Sequence, residues 1–198
     1  MSDRQQYEIL LDELERWNRK VNLTAIRERE RMWTAHIDDS LSALPFLEGR
    51  TVLDVGTGAG FPGLPLAIAE PDRHFTLLDS NNKKIMFVQH AAGVLGLENV
   101  EPVKARMEDY APGHRFDTVI ARAVATVPQL LQNAGHHVGE DGVFVALKGR
   151  DPAEEMGSLP ADWDYEVRSL DVPGLAAGSR HAVLLRRAER GDPENEDL

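Results

Sequence analysis

Cysteine is absent from the 198 residues. That absence removes disulfides, thiolate metal sites and a cysteine nucleophile together, and it fits a reducing compartment. No apolar run approaches the roughly 20 residues of a membrane span, and the opening Met1-Ser-Asp-Arg-Gln-Gln is not a signal peptide. A cytoplasmic protein without membrane partners is expected. Basic charge is also scarce: the net charge of −11 argues against a generally basic nucleic-acid binder. The seven histidines show no metal-ligand spacing, so no metal is expected. A G-x-S-x-G elbow is missing too. His36-Ile-Asp-Asp-Ser40 therefore reads as a polar cluster locking an N-terminal helix over a ligand, and not as part of a hydrolase triad. No internal repeat is visible, and the length suits one large domain with a sizeable core.

What the chain does have is Thr51-Val-Leu-Asp-Val-Gly-Thr-Gly-Ala-Gly-Phe-Pro-Gly63. A buried strand runs into a turn where three alternating glycines let backbone approach a ligand. Leu64 to Ala69, stopped by Pro71, follows as a short helix. Gly58, Gly60 and Gly63 satisfy G-x-G-x-x-G, which read literally means NAD or FAD. A dinucleotide, however, sets its pyrophosphate on free N–H groups at the helix start. Pro62 and Pro65 lack them, and the Asp54 carboxylate would repel the phosphates. S-adenosylmethionine, carrying an ammonium, a sulfonium and an adenosine, suits the site better. The form Asp54-x-Gly56-x-Gly58-x-Gly60, with Thr57 between the first glycines, also resembles the first motif of Rossmann-like methyltransferases, so Asp54, Gly56, Thr57 and Gly58 are expected among the cofactor contacts. A tight turn in an ordinary α/β protein stays open as the alternative.

Around this turn the chain alternates. Tyr7, Leu10, Leu11, Leu14, Trp17 and Val21 predict an amphipathic helix from Asp3 to about Lys20, broken by Asn22-Leu-Thr24. A second helix is expected from Glu28 to Leu44, ending at Pro45. Trp17 and Trp33 read as core. Strands are expected at Phe75–Asp79, Val100–Ala105, Phe116–Ala121 and Gly142–Leu147. Helices are expected after Ser80 or Asn81, closing near Gly96, and over Val127–Val138. Lys148 to Asp162 reads as a loop, and Tyr165–Val172 with His181–Arg187 as a terminal hairpin. The fold class is α/β, a mostly parallel seven-stranded sheet with an antiparallel C-terminal strand and an N-terminal helical cap. Boundaries are expected at 1–48 for the helical extension, 49–188 for the methyltransferase domain and 189–198 for an acidic disordered tail.

Several residues can carry chemistry. Asp79 ends the second strand, where a carboxylate meets ribose hydroxyls; a helix N-cap is its other reading. Met107-Glu108 follows the third strand, where adenine lies in this architecture, though Glu108 also reads as a surface acid. Arg122 follows the fourth strand and could bond a guanine O6 or a phosphate, or simply pair with a neighbouring acid. The sequence there, Ala121-Arg-Ala-Val124, lacks the Asn/Asp-Pro-Pro-aromatic motif of enzymes acting on exocyclic amines. Pyrimidine carbon-5 methylation needs the missing cysteine. A guanine ring nitrogen or an activated hydroxyl remains as acceptor, and N7 needs no general base. Arg16 to Arg31 holds six basic residues against Glu28 and Glu30, while the last ten residues carry a net charge of −4. That basic stretch is either a local phosphate grip or a solvated helix face.

Asn22-Leu-Thr, His36-x-x-Asp39-Ser40, the extended glycine motif with Phe61-Pro62-Gly63, Leu78-Asp79-Ser80, Arg122-Ala123, Lys148-Gly149 and Arg180-His181 occur in order. Over about residues 5 to 187 the chain resembles the family of bacterial ribosomal RNA small subunit methyltransferase G, also called glucose-inhibited division protein B. The resemblance implies a class I, S-adenosylmethionine-dependent enzyme that methylates N7 of one guanine in the decoding-region loop of 16S rRNA. It carries cofactor positions to Gly56, Phe61, Met107, Glu108 and Arg122, with Arg122 as a positioning group. It assigns Lys83, Arg106, Lys148 and Arg180 to RNA. The expected partner is 16S rRNA or the small ribosomal subunit, met by a monomer. An NAD-dependent oxidoreductase and a non-catalytic cofactor- or RNA-binding module are the competing readings.

Overall fold

The structure, a computed structural model, describes residues 1–122, 125–176 and 180–188. Helix α1 (Asp3–Asn18) opens with a capping box: Ser2 Oγ accepts from the Gln5 N–H, and the Gln5 side chain accepts from the Ser2 N–H. The expected apolar face is the buried one, with Tyr7, Leu10, Leu11 and Leu14 in the core. The second helix differs from expectation. It comprises α2 (Arg29–Met32), a π-helical segment (Trp33–Asp38) and α3 (Asp39–Leu41). Pro45 does not end it; Pro45 sits inside a separate 3-10 turn, Leu44–Phe46, where its missing N–H costs nothing.

The remaining elements are β1 (Thr51–Val55), α4 (Gly63–Ala69), β2 (His74–Asp79), α5 (Asn82–Leu95), β3 (Val100–Lys104), β4 (Phe116–Arg122), α6 (Val127–Ala134), β5 (Val138–Lys148), α7 (Ala153–Met156), β6 (Trp163–Ser169) and β7 (His181–Arg187). Asn81 caps α5 by accepting from the Lys83 N–H, and Gly96 closes it at a φ of 66°. The sheet order is β3-β2-β1-β4-β5-β7-β6. Strands β3 to β5 in that order are parallel, and β7 runs antiparallel to both β5 and β6. Strand order reverses between β1 and β4, so the ligand-binding crevice of an open α/β sheet lies at their carboxyl ends.

Some boundaries move. Helix α6 stops at Ala134, a 3-10 turn spans Gly135–His137, and β5 begins already at Val138 with a register shift between Phe116 and Thr118. Arg122 is the last residue of β4 and not the first beyond it. Strand β6 ends at Ser169, and the 148–162 connection contains α7. The expected tail, 189–198, lies outside the described residues.

Period-two burial builds both layers. Val52, Phe75, Leu77, Val143 and Val145 face α1, α4 and α5. Leu53, Val55, Phe144, Ala146 and Val183 face the other way, against Val127, Leu130 and Leu131 of α6. Helix α1 crosses α5 with Trp17 on Phe87 at a ring distance of 5.7 Å. Arg29 returns from α2 to Glu8, Asp12 and Glu15 of α1.

Buried Asn18 shapes the connection between these helices. Its Oδ1 accepts from the N–H groups of Leu23 (2.8 Å) and Thr24 (3.1 Å), and its Nδ2 donates to the Thr24 carbonyl at 2.9 Å. Asn18→Ala strips partners from these backbone groups. It is expected to lower unfolding free energy by about 1–3 kcal/mol, measured by denaturant titration. A loss within a few tenths would show that the loop holds itself.

Candidate active site

A cavity of about 800 Å³ opens at the carboxyl ends of β1 to β5 and the start of β7. Its floor is the turn after β1. Gly56 and Gly58 take φ values of 69° and 63°, a region that side chains avoid. A Cβ on Gly58 would meet nothing nearer than 4.0 Å, so this stretch of backbone is open to a ligand. Gly63 serves another purpose: a Cβ there would lie 2.7 Å from Leu77 and 2.8 Å from Asp54, so its bareness lets α4 close on β1 and β2.

Asp54 is fully buried and does not line the cavity, contrary to its expected place among the cofactor contacts. Its Oδ2 accepts from Thr57 Oγ1 (2.6 Å) and from the Gly63 N–H (2.9 Å), pinning the glycine turn to the start of α4. Burial pushes its carboxyl up to about 6 despite those bonds. The other early N–H groups of α4 are also committed. Leu64 donates to the Gly60 carbonyl (2.7 Å), Leu66 donates to that of Pro62 (3.2 Å), and Pro65 has no N–H. No donor remains there for a pyrophosphate. The conclusion expected from Pro62 and Pro65 stands, but the Asp54 carboxylate acts by occupying the Gly63 N–H and not by facing the ligand.

Asp79 lines the cavity and is not the N-cap of α5, a place that Asn81 takes. Its Oδ2 accepts from the Gly58 N–H at 3.0 Å and its Oδ1 from the Asn81 N–H at 2.8 Å, so it ties the glycine turn to the entry of α5. Lys84 stands 3.5 Å from it and also lines the cavity. Lys84 was missed in favour of Lys83, which is exposed and outside the wall. The helical pattern carries the signal: Lys84 lies one turn before Val88, on the inner side of α5. Arg106, Met107 and Glu108 line the next strand mouth, with Arg106 and Glu108 3.6 Å apart. His137 Nε2 donates to the Met107 carbonyl at 2.8 Å and fixes that segment.

The roof comes from the N-terminal helices. Leu23, Thr24, Ile26, Ala35, His36 and Asp39 all line the cavity. The His36 ring stacks on Phe61, with centroids 4.5 Å apart and 17° between planes, and its Nε2 lies 3.1 Å from Thr24 Oγ1. Asp39 is the hub. Its Oδ2 accepts from Arg122 Nη1 at 2.9 Å and its Oδ1 from Arg180 Nε at 2.7 Å. Arg122 Nη1 also donates to the Ala35 carbonyl of the π segment at 2.7 Å. The polar cluster therefore does join the helix to the sheet, through partners 83 and 141 residues away.

The cations expected to meet RNA stand in different situations. Lys148 donates to Glu155 Oε2 (3.0 Å) and the Ala125 carbonyl (3.1 Å), while Glu155 also accepts from the Val127 N–H (2.7 Å); together they tie β5 to the entry of α6. Arg180 is engaged by Asp39. Within the basic stretch, Arg16 pairs with Glu13 and Arg29 with three acids of α1, so these two brace helices.

Burial, reinforced by the positive Arg122, pulls the His36 imidazole down to about 4. The unfolded chain takes up a proton near 6.5 that the folded one refuses, so the stability His36 contributes is full above 6.5 and lost as pH falls toward 4. Asp54, raised from 3.8 to about 6, has the opposite slope over its own window. Comparison with His36→Gln cancels that background. The stability difference between wild type and His36→Gln should shift against wild type by on the order of 3 kcal/mol from pH 7 to pH 4. A pH-independent difference would mean that His36 titrates normally.

Comparison with known proteins agrees with this geometry. The family described as rRNA small subunit methyltransferase G matches residues 3–183. Ribosomal RNA small subunit methyltransferase G of Nitrosococcus oceani is 46% identical over 194 residues, covering 96% of this chain and 90% of that protein. The Legionella pneumophila protein of the same name is 45% identical over 177 residues, covering 89% and 84%. Among solved structures, M. jannaschii TYW2 in complex with AdoMet superposes with a TM-score of 0.57 at 21% identity, over 76% of this chain and 75% of that one, a likeness of fold. This chain belongs to the rRNA small subunit methyltransferase G family.

Proposed function

We propose that the cavity holds S-adenosylmethionine and that the chain methylates N7 of one guanine in the decoding-region loop of 16S rRNA. One observation carries the cofactor reading: an open glycine turn and an acidic strand end face the cavity, while every early N–H of α4 is already bonded or missing. The same feature disfavours the NAD-dependent oxidoreductase, whose pyrophosphate needs those donors. Asp79 has lone pairs left for ribose hydroxyls, and Met107 offers an apolar face to adenine. Gly58 lets backbone come close. Asp54 acts from beneath by fixing the turn, in part through the hydroxyl of Thr57, which itself lines the cavity.

When bound, S-adenosylmethionine supplies a methyl carbon on a positively charged sulfur. Guanine N7 accepts it with a lone pair and loses no proton, so the chain needs no general base. Its contribution is orientation and exclusion of water, an effect worth up to roughly 7–11 kcal/mol. Arg122, locked by Asp39 and Ala35 beside Phe61, is a positioning residue at the edge of the cofactor space. The protein acts in the cytoplasm as a monomer, on rRNA or the small subunit; among the described residues no helix is long and apolar enough to cross a membrane.

The test is incubation with methyl-labelled S-adenosylmethionine and small-subunit RNA or particles, followed by mapping of the labelled nucleotide. Label at N7 of a single guanine is expected, at a rate nearly flat from pH 7 to 9 once RNA is saturating. A rate rising tenfold per pH unit would point to a deprotonated hydroxyl acceptor and ribose methylation. Cofactor binding without any transfer would leave a non-catalytic module.

A further inference from the structure

Thirty-three acids are spread through this chain, but none lies from Arg19 to Arg27 or from Ser80 to Leu97. The fold brings their basic ends together. Helix α1 lies antiparallel to α5, with Glu13 bonded to His90 at 2.7 Å and, one turn later, Trp17 packed on Phe87. Another turn along α1 reaches Arg19 and Lys20, and one turn back along α5 reaches Lys83, each turn about 5–6 Å of helix. All three are exposed, and none forms an ion pair among the described residues. Arg27 closes the group. It is exposed and, among the described residues, donates only to neutral oxygens, the Asn18 carbonyl (3.2 Å) and Asn22 Oδ1 (3.5 Å).

None of these four cations lines the cavity, but Arg27 and Lys83 each adjoin a residue that does, Ile26 and Lys84. Asn18 folds Leu23 and Thr24 into its wall, and Ser80 and Lys84 line it beside Lys83. We infer that Arg19, Lys20, Arg27 and Lys83 form the surface that grips substrate RNA through its phosphates, on the side of the cavity where α1 meets α5. This deepens the proposed function and rests on it. The reason is charge accounting: Lys148 and Arg180 are each bonded to an internal carboxylate, whereas these four cations carry no carboxylate partner among the described residues. A phosphate backbone docking here meets positive charge without first breaking an ion pair, on a protein whose net charge of −11 repels it elsewhere.

The probe is a 16S rRNA fragment carrying the decoding-region loop, titrated over a salt series with the demethylated cofactor product present. Lys20→Ala and Lys83→Ala are each expected to weaken binding about three- to tenfold and to flatten the log–log salt slope by about 0.7–0.9. Cofactor affinity and melting temperature should hold. Arg50→Ala removes an equal charge just before β1, at the opposite edge of the sheet, and should leave both RNA readouts unchanged. A triple variant of Arg19, Lys20 and Lys83 with the wild-type slope would overturn the inference, as would an equal effect from Arg50→Ala. Failure of the functional reading is separate, since wild-type protein would then label no guanine.

Discussion

One carboxylate joins three parts of the chain that are remote in sequence. Asp39, from the N-terminal helices, accepts Arg122 from the end of β4 and Arg180 from the start of β7. Its side chain is 8% exposed, so its desolvation is costly and must be offset by both arginines together. Each oxygen takes one cation, and Arg122 satisfies the Ala35 carbonyl as well. The π-helical segment that offers this carbonyl is an irregularity often found at functional sites. The roof residues His36 and Thr24 keep their place over the glycine turn because this clamp sets the helix against the sheet. The Arg29 network to α1 is more exposed, and such pairs are individually worth about 0–1 kcal/mol.

Beneath the roof, the turn after β1 is organised by acids and not by a phosphate. Asp54 holds it from below and Asp79 from the side, so two carboxylates consume the N–H groups of Gly63 and Gly58. The same glycine spacing that serves dinucleotide enzymes is thereby turned to another ligand. Elsewhere the acidic surface uses most cations internally, which confines unpaired positive charge to a few places. Electrostatics of this kind localise an anionic partner because screening limits each charge to about 8–10 Å.

The sheet was legible because its central strands are short, nearly continuous apolar runs and its turns are marked by glycine, asparagine and proline. The places of Asp79 and Met107 in the cavity wall were legible because Asp79 ends β2 and Met107 follows β3, at the carboxyl edge where open α/β sheets form their crevice. Asp54 misled, since a carboxylate at the last turn of a strand looks the same in sequence whether it faces the cavity or α4. The identity of the clamp was hidden, because Arg122 and Arg180 lie 83 and 141 residues from Asp39 and no local pattern links them. The π segment left no mark, and Pro45 suggested a stop that a 3-10 turn absorbs. Lys84 was recoverable from helical phase, whereas the Lys148–Glu155 pairing depended on a loop whose path no periodicity reveals.

The dependence of the site on its clamp can be measured by a double-mutant cycle on Asp39→Ala and Arg180→Ala. Unfolding free energy and S-adenosylmethionine affinity would be determined for wild type, both single variants and the pair. A coupling energy of about 1.5–3 kcal/mol in stability is predicted, with cofactor affinity falling in either single variant and little further in the double. Effects that add within about 0.5 kcal/mol, with cofactor affinity intact, would contradict the account.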